Sequence, residues 1–288
     1  MSARLSSDKN HGNENRKVGI LLGVPIGQSP LGDIVQDSIR VIERRMDQSV
    51  FACANPHSLV VAQRDMEFQS ALQNANLLVV DGVGASLMAR AVGVHLGPRI
   101  TGSDYFHGVL NALQRRGNGR VFFFGSSEHV LQRIAKRFVA EFPSVTLCGM
   151  MSPPFGEWTE MENHRMVKSI NDARPDVLWV GMTAPKQEKW VEANRRKLNV
   201  PVIGSVGAVF DFYAGTYPRA PKWICDSGLE WAYRFIREPR RMWRRNFLSA
   251  PTFIWLVLRR HMFGGHTCLV SHRQPCSDQH SDRTDRAA

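Results

Sequence analysis

The stretch VFACANPHSLVVAQRDMEFQSALQNANLLVVDGVG, residues 50–84, carries the fold. Val50 to Ala54 is a short apolar run that ends in Asn55-Pro56-His57, and a helix is expected from about Ser58 to Asn74. Leu77 to Val80 is a second apolar run, ending in Asp81-Gly82-Val83-Gly84. Strand, helix, strand with short turns is the repeating unit of a parallel sheet. Such sheets bind ligands beyond the carboxyl ends of their strands, so Asn55 and Asp81 fall on the functional edge.

The same alternation extends to both sides. Val18 to Val24 reads as a first strand, and Leu31 to Arg45 has helical spacing at Leu31, Ile34, Val35, Ile39 and Ile42. Helices are expected at about Gly84–Val92 and Ser103–Arg116, with Arg99-Ile100-Thr101-Gly102 between them. Val121 to Phe124 is a strand ending in Gly125-Ser126-Ser127, followed by a helix to about Phe142. Val145 to Cys148 is another, followed by the loop Pro153-Pro154-Phe155-Gly156 and a helix from Glu160 to Asp172. Val177 to Val180 leads into Gly181-Met182-Thr183-Ala184-Pro185-Lys186-Gln187-Glu188, which opens a helix to about Leu198. Pro185 suits a first helical turn, and Val202 to Ser205 is the last clear strand. The expected architecture is an α/β, doubly wound, mostly parallel Rossmann-like sheet over residues 18–215. A basic helical appendage follows at 216–263, and polar tails at 1–17 and 264–288 read as disordered.

Of the 288 residues, 43% are hydrophobic, enough for a substantial core, and the net charge of +11 directs the chain to anionic partners. The excess gathers between Arg219 and Arg260. Five scattered cysteines without a C-x-x-C pair argue for a reducing compartment and against a disulfide framework or zinc site. No signal peptide or membrane span is legible, since the longest apolar stretch, Phe247 to Leu258, contains Pro251 and is short. Rich in Trp and Phe and bracketed by arginines, it suits a membrane surface.

Several residues could carry chemistry. Asp81, at a strand end in a glycine turn, suits a general base, although a turn aspartate capping the next helix is the commoner role. Gly82 and Gly84 form no dinucleotide fingerprint, because Leu87 stands where a third glycine is needed. Asn55 and Asp104 suit sugar hydroxyls, and Arg99 suits a carboxylate or phosphate. Each also has a structural reading as a turn, helix-start or surface residue. Gly125-Ser126-Ser127 is a weak anion signal, and Gln187, Glu188 and Lys186 share one helix start, where Lys186 could neutralise phosphate. Asp211 and Arg219 complete the substrate-binding candidates; Asp104 or Asp211 is the fallback base if Asp81 is only a turn residue. Arg234, Arg237, Arg241 and Arg244 share one helical face, and guanidinium forks suit a diphosphate. The chain lacks Asp-x-Asp and any His/Cys cluster at metal spacing, and it has neither a G-x-S-x-G elbow nor a P-loop.

The order of the short motifs is more specific than any one of them. Asn55-Pro56, Asp81-Gly82-x-Gly84, Arg99-x-Thr101-Gly102-x-Asp104, Phe124-Gly125, Pro154-Phe155-Gly156, Pro185-Lys186-Gln187-Glu188, Phe210-Asp211-Phe212, Arg219-Ala220-Pro221 and Gly228-Leu229-Glu230-Trp231 follow one another. From about Gly19 to Arg245 the chain resembles the WecG/TagA/CpsF family of bacterial glycosyltransferases.

That resemblance implies an inverting, metal-independent transferase without cofactors. It would move a sugar, such as glucose or N-acetylmannosamine, from a UDP-sugar to a polyprenyl-diphosphate-linked saccharide at the cytoplasmic face of the inner membrane, in exopolysaccharide or wall-polymer assembly. Xanthan-type β-1,4-glucosyltransferases incline the donor towards a neutral hexose. The family's base falls on Asp81, its sugar-contacting residues on Asn55, Arg99 and Gln187, and its diphosphate-holding arginines near Arg234, Arg237 and Arg240. Cys53 stands where the family often has threonine, which removes one polar contact. The resemblance implies no nucleic-acid partner and leaves homo-oligomerisation open. The alternative from another class is a basic protein that binds nucleic acid or anionic membrane without catalysis. It leaves the βα core and Asp81 unexplained.

Overall fold

In the computed structural model, residues 17–45, 47–218, 221, 224, 230–237, 243 and 249–263 are described. The short apolar runs become strands, most of them buried on both faces, while the strand at Thr146–Met151 is partly exposed. β3 (Ser49–Ala54), β4 (Leu77–Val80), β5 (Arg120–Gly125), β6 (Thr146–Met151), β7 (Val177–Gly181) and β8 (Val202–Ser205) form a six-stranded sheet in the order β4-β3-β8-β7-β5-β6. Every pairing in it is parallel. The fold is the doubly wound α/β arrangement that the alternation predicts.

Alternate residues of each strand enter different layers. Val50, Ala52 and Ala54 of β3, with Leu178 and Val180 of β7, join a core with α2 (Pro56–Ala62), α3 (Met66–Asn74), α4 (Val83–Ala91), α7 (Glu160–Ala173) and α8 (Lys186–Asn194). Phe51, Val177 and Trp179 face the opposite core, made with α1 (Leu31–Arg44), α5 (Gly102–Arg116), α6 (Glu128–Glu141) and α9 (Val209–Ala214). In that second layer Phe51 stacks on Tyr105 at 3.8 Å, and Phe106 lies 4.9 Å from the Trp179 ring. Burying each such side chain is worth roughly 1.5–3 kcal/mol.

Three expectations change in the structure. The single first strand is a hairpin, β1 (Val18–Leu21) and β2 (Val24–Gly27), paired antiparallel outside the main sheet. Leu22 and Gly23 both take positive φ, 52° and 82°, which turns the chain back within two residues. The helix expected from Ser58 to Asn74 is two helices, because Asp65 accepts the Phe68 N–H at 3.0 Å and caps a new start. Pro185 is the N-cap of α8 rather than its first turn, and α8 ends at Asn194.

Beyond α9, α10 (Glu230–Arg237) and α11 (Ala250–Phe263) are described. α11 rests on the sheet domain: Phe253 and Val257 enter the first core, and Ser249 Oγ lies 2.7 Å from His57 Nδ1 on α2. No described helix is long and apolar enough to cross a membrane.

Candidate active site

Parallel strands bring all their carboxyl ends to one edge. The β3–β4 register pairs Ala54 with Val80, so Asn55 and Asp81 leave the sheet side by side. The Asp81 N–H donates to Ala54 O at 2.8 Å, extending the ladder by one residue. The N-cap of α4 is Gly82, with φ 123°, so Asp81 stands just outside that helix. Asn55 is the N-cap of α2, and its Oδ1 accepts the Ser58 N–H at 3.0 Å. With the carbonyl oxygen so engaged, the Nδ2 amide is the group left to meet a ligand.

α2 leaves β3 towards one layer and α9 leaves β8 towards the other, the kind of switch point at which parallel sheets bind ligands. The amino end of α5 packs against these strand ends. A Cβ at Gly102 would lie 3.4 Å from Val206 O and 3.7 Å from Cys53 Sγ. Thr101 and Asp104 form a capping box: Asp104 Oδ2 accepts from Thr101 N at 2.9 Å and Oγ1 at 2.8 Å. Asp104 therefore holds the loop that carries half-buried Arg99, and that duty occupies one of its oxygens.

Gln187 enters from the β7 side. Its Oε1 accepts the Met182 N–H at 3.3 Å, and its amide lies against Gly207, just past β8. Gln187 Nε2 donates to Glu188 Oε1 at 2.8 Å. Glu188 is 4% exposed, and burial raises its pKa to about 7. The Cys53 thiol is pushed well above its ordinary value by burial first and then by Asp81, Glu188 and Asp104. Glu188 was legible only as one polar residue at a helix start; its burial comes from packing.

The remaining candidates are less central. Asp211 is half-buried in the first turn of α9, where Thr216 Oγ1 lies 3.5 Å from its Oδ1. Arg237 is exposed, with its guanidinium 5.4 Å from the Tyr233 ring centroid. Arg219, Arg240, Arg241, Arg244 and the side chain of Arg234 lie outside the described residues. Lys186, the candidate for neutralising phosphate, is exposed. Its Nζ donates to Gly156 O at 2.7 Å and sits 3.9 Å from the Trp158 ring centroid, so it ties down the β6–α7 loop.

Residues 20–266 match the glycosyl transferase WecG/TagA/CpsF family. The N-acetylglucosaminyldiphosphoundecaprenol N-acetyl-beta-D-mannosaminyltransferase of Bacillus subtilis (strain 168) is 29% identical over 73% of this chain and 79% of its own length. The protein of the same name from Bacillus spizizenii is 29% identical over 72% and 77%. That from Staphylococcus aureus (strain MW2) is 23% identical over 83% and 91%. With the family match spanning residues 20–266, the chain belongs to the WecG/TagA/CpsF family of glycosyl transferases.

Proposed function

We propose that the protein is an inverting, metal-independent hexosyltransferase. It moves a sugar of the N-acetylmannosamine or glucose type from a UDP-sugar to a saccharide on a polyprenyl diphosphate. The observation that supports this reading is the placement of Asp81 beside Asn55 at the carboxyl ends of β4 and β3. The names of the relatives favour a lipid-diphosphate acceptor and a β-linked N-acetylmannosamine product.

In this reading the acceptor hydroxyl attacks the anomeric carbon from the face opposite the diphosphate. The Asp81 carboxylate takes the hydroxyl proton as the new C–O bond forms. The bond from the anomeric carbon to the diphosphate oxygen breaks, and its electron pair leaves with UDP. Asn55, Arg99, Asp104, Gln187 and Asp211 orient the sugars. Guanidinium groups of Arg219, Arg234, Arg237 and Arg240 meet the charge that develops on the leaving group.

Attachment to the inner-membrane surface fits α11. Ile254, Trp255, Leu258 and Met262 are exposed on one side of it, and Arg259 stacks over Trp255 at 5.1 Å. An apolar stripe with adjacent cations lies in an anionic interface without spanning it.

The test is UDP release from a panel of UDP-sugars, with a lipid-diphosphate N-acetylglucosamine acceptor, in EDTA. Acceptor-dependent turnover that falls roughly 10²-fold or more in Asp81→Asn supports the reading and names the donor. Near-normal turnover of that variant moves the base to Asp104 or Asp211. A panel without any turnover or UDP binding defeats the transferase reading for UDP-sugars.

A further inference from the structure

We propose that Glu188 is a positioning residue for donor specificity: it fixes the Gln187 amide so that an N–H, and not the carbonyl oxygen, faces an oxygen of the donor sugar. The proposal rests on the reading of Gln187 as a donor-sugar contact.

The geometry leaves the amide one orientation. Gln187 Oε1 accepts from Met182 N, and Nε2 donates to Glu188 Oε1. Turning the amide over would set its NH₂ against the Met182 N–H and its carbonyl oxygen against the carboxyl oxygen of Glu188. Both hydrogen bonds would be lost inside the protein, where each unpaired group is costly. A primary amide has two N–H bonds, and Glu188 takes one of them. The second is the donor that Gln187 has left to offer beside Gly207, whose Cβ position would lie 3.5 Å from Nε2.

Glu188 is built for this task. It is nearly wholly buried in the first turn of α8, and its Oε2 has no hydrogen-bond partner in the protein among the described residues. Oε1 accepts whether the group is ionised or carries its proton on Oε2, so the clamp holds on both sides of its raised pKa, about 7.

The test compares donor KM and kcat, with UDP-N-acetylmannosamine and UDP-glucose, across single and double variants. Gln187→Ala and Glu188→Met are each expected to raise donor KM about 10-fold, with kcat changed by less than about 3-fold, the pattern of a lost ground-state contact. The double variant is expected to be no worse than either single, because both remove the same N–H. Glu188→Gln keeps a carbonyl acceptor and is expected to keep donor KM. The exchange Gln187→Glu with Glu188→Gln restores both internal hydrogen bonds and the melting temperature but leaves no N–H for the sugar, so KM stays high. Additive effects of Gln187→Ala and Glu188→Met, or recovery of KM in the exchange variant, would overturn the clamp alone. An unchanged donor KM in Gln187→Ala would instead overturn the sugar-contact reading on which the clamp depends.

Discussion

The backbone N–H of Asp81 is bonded to the carbonyl oxygen of Ala54 at 2.8 Å, one step past the last paired residues of β3 and β4. The main chain thus aims the Asp81 carboxylate, and that main-chain bond persists in Asp81→Asn. The variant is expected to melt within about 2 °C of the wild type while losing turnover by roughly 10²–10⁴-fold, the usual worth of a positioned general base. Differential scanning calorimetry beside the UDP-release assay checks both. A parallel loss of stability would mean that Asp81 is a structural turn residue.

The sheet under the site tolerates no added atom at two glycines. A Cβ at Gly204 would lie 2.3 Å from the Trp179 ring, and one at Gly181 would lie 2.3 Å from the Phe210 ring. Both rings are fully buried, so they cannot swing aside. Gly204→Ala is expected to cost about 1–3 kcal/mol through overpacking, read as a lower urea midpoint at unchanged slope.

Glu188 makes stability depend on pH with a definite sign. Burial raises its folded pKa from an ordinary 4.5 to about 7. Below the unfolded value both states hold the proton and there is no penalty. Between 4.5 and 7 the unfolded chain ionises first, so stability falls as pH rises and levels off above the folded pKa. The full swing is on the order of 3 kcal/mol. Glu188→Gln should flatten this part of the profile, gaining on the wild type at pH 8 relative to pH 5 in urea titrations. Parallel wild-type and variant profiles would place the ionised Glu188 in contact with water.

Cys53 should be chemically quiet. Its thiol is held above the ordinary value by burial and by the carboxylates of Asp81, Glu188 and Asp104, and the thiolate is the reactive form. Iodoacetamide at pH 8 is expected to label it at least about 10-fold more slowly in the native protein than in urea, measured by peptide mass spectrometry. Equal rates would mean that the site opens to solvent.

Trp255 and Leu258 stand out from α11 beside Arg259, while Phe253 and Val257 are buried. Trp255→Ala with Leu258→Ala should leave melting nearly unchanged and weaken binding to phosphatidylglycerol vesicles about 10-fold or more in sedimentation. Unaltered vesicle binding would move the membrane contact to another surface.

The fold was open to a reader of residues 50–84 because parallel strands are short apolar runs with turns at fixed offsets. That pattern puts strand ends, and hence Asn55 and Asp81, on one edge before any coordinate is known. Asp104 was legible as a helix-start residue, while its capping box with Thr101, three positions back, appears only in the structure. Two local readings went astray for the same reason: Leu22-Gly23 and Asp65 break elements by backbone conformation and a single hydrogen bond, signals that apolar periodicity overrides. Long-range packing settled the rest. Lys186 and Glu188 are two residues apart at one helix start, yet one ammonium turns out to a loop carbonyl and the carboxyl turns in beneath Gln187. Which way each points depends on strands and loops distant in sequence, since burial and desolvation belong to the folded neighbourhood and not to the residue.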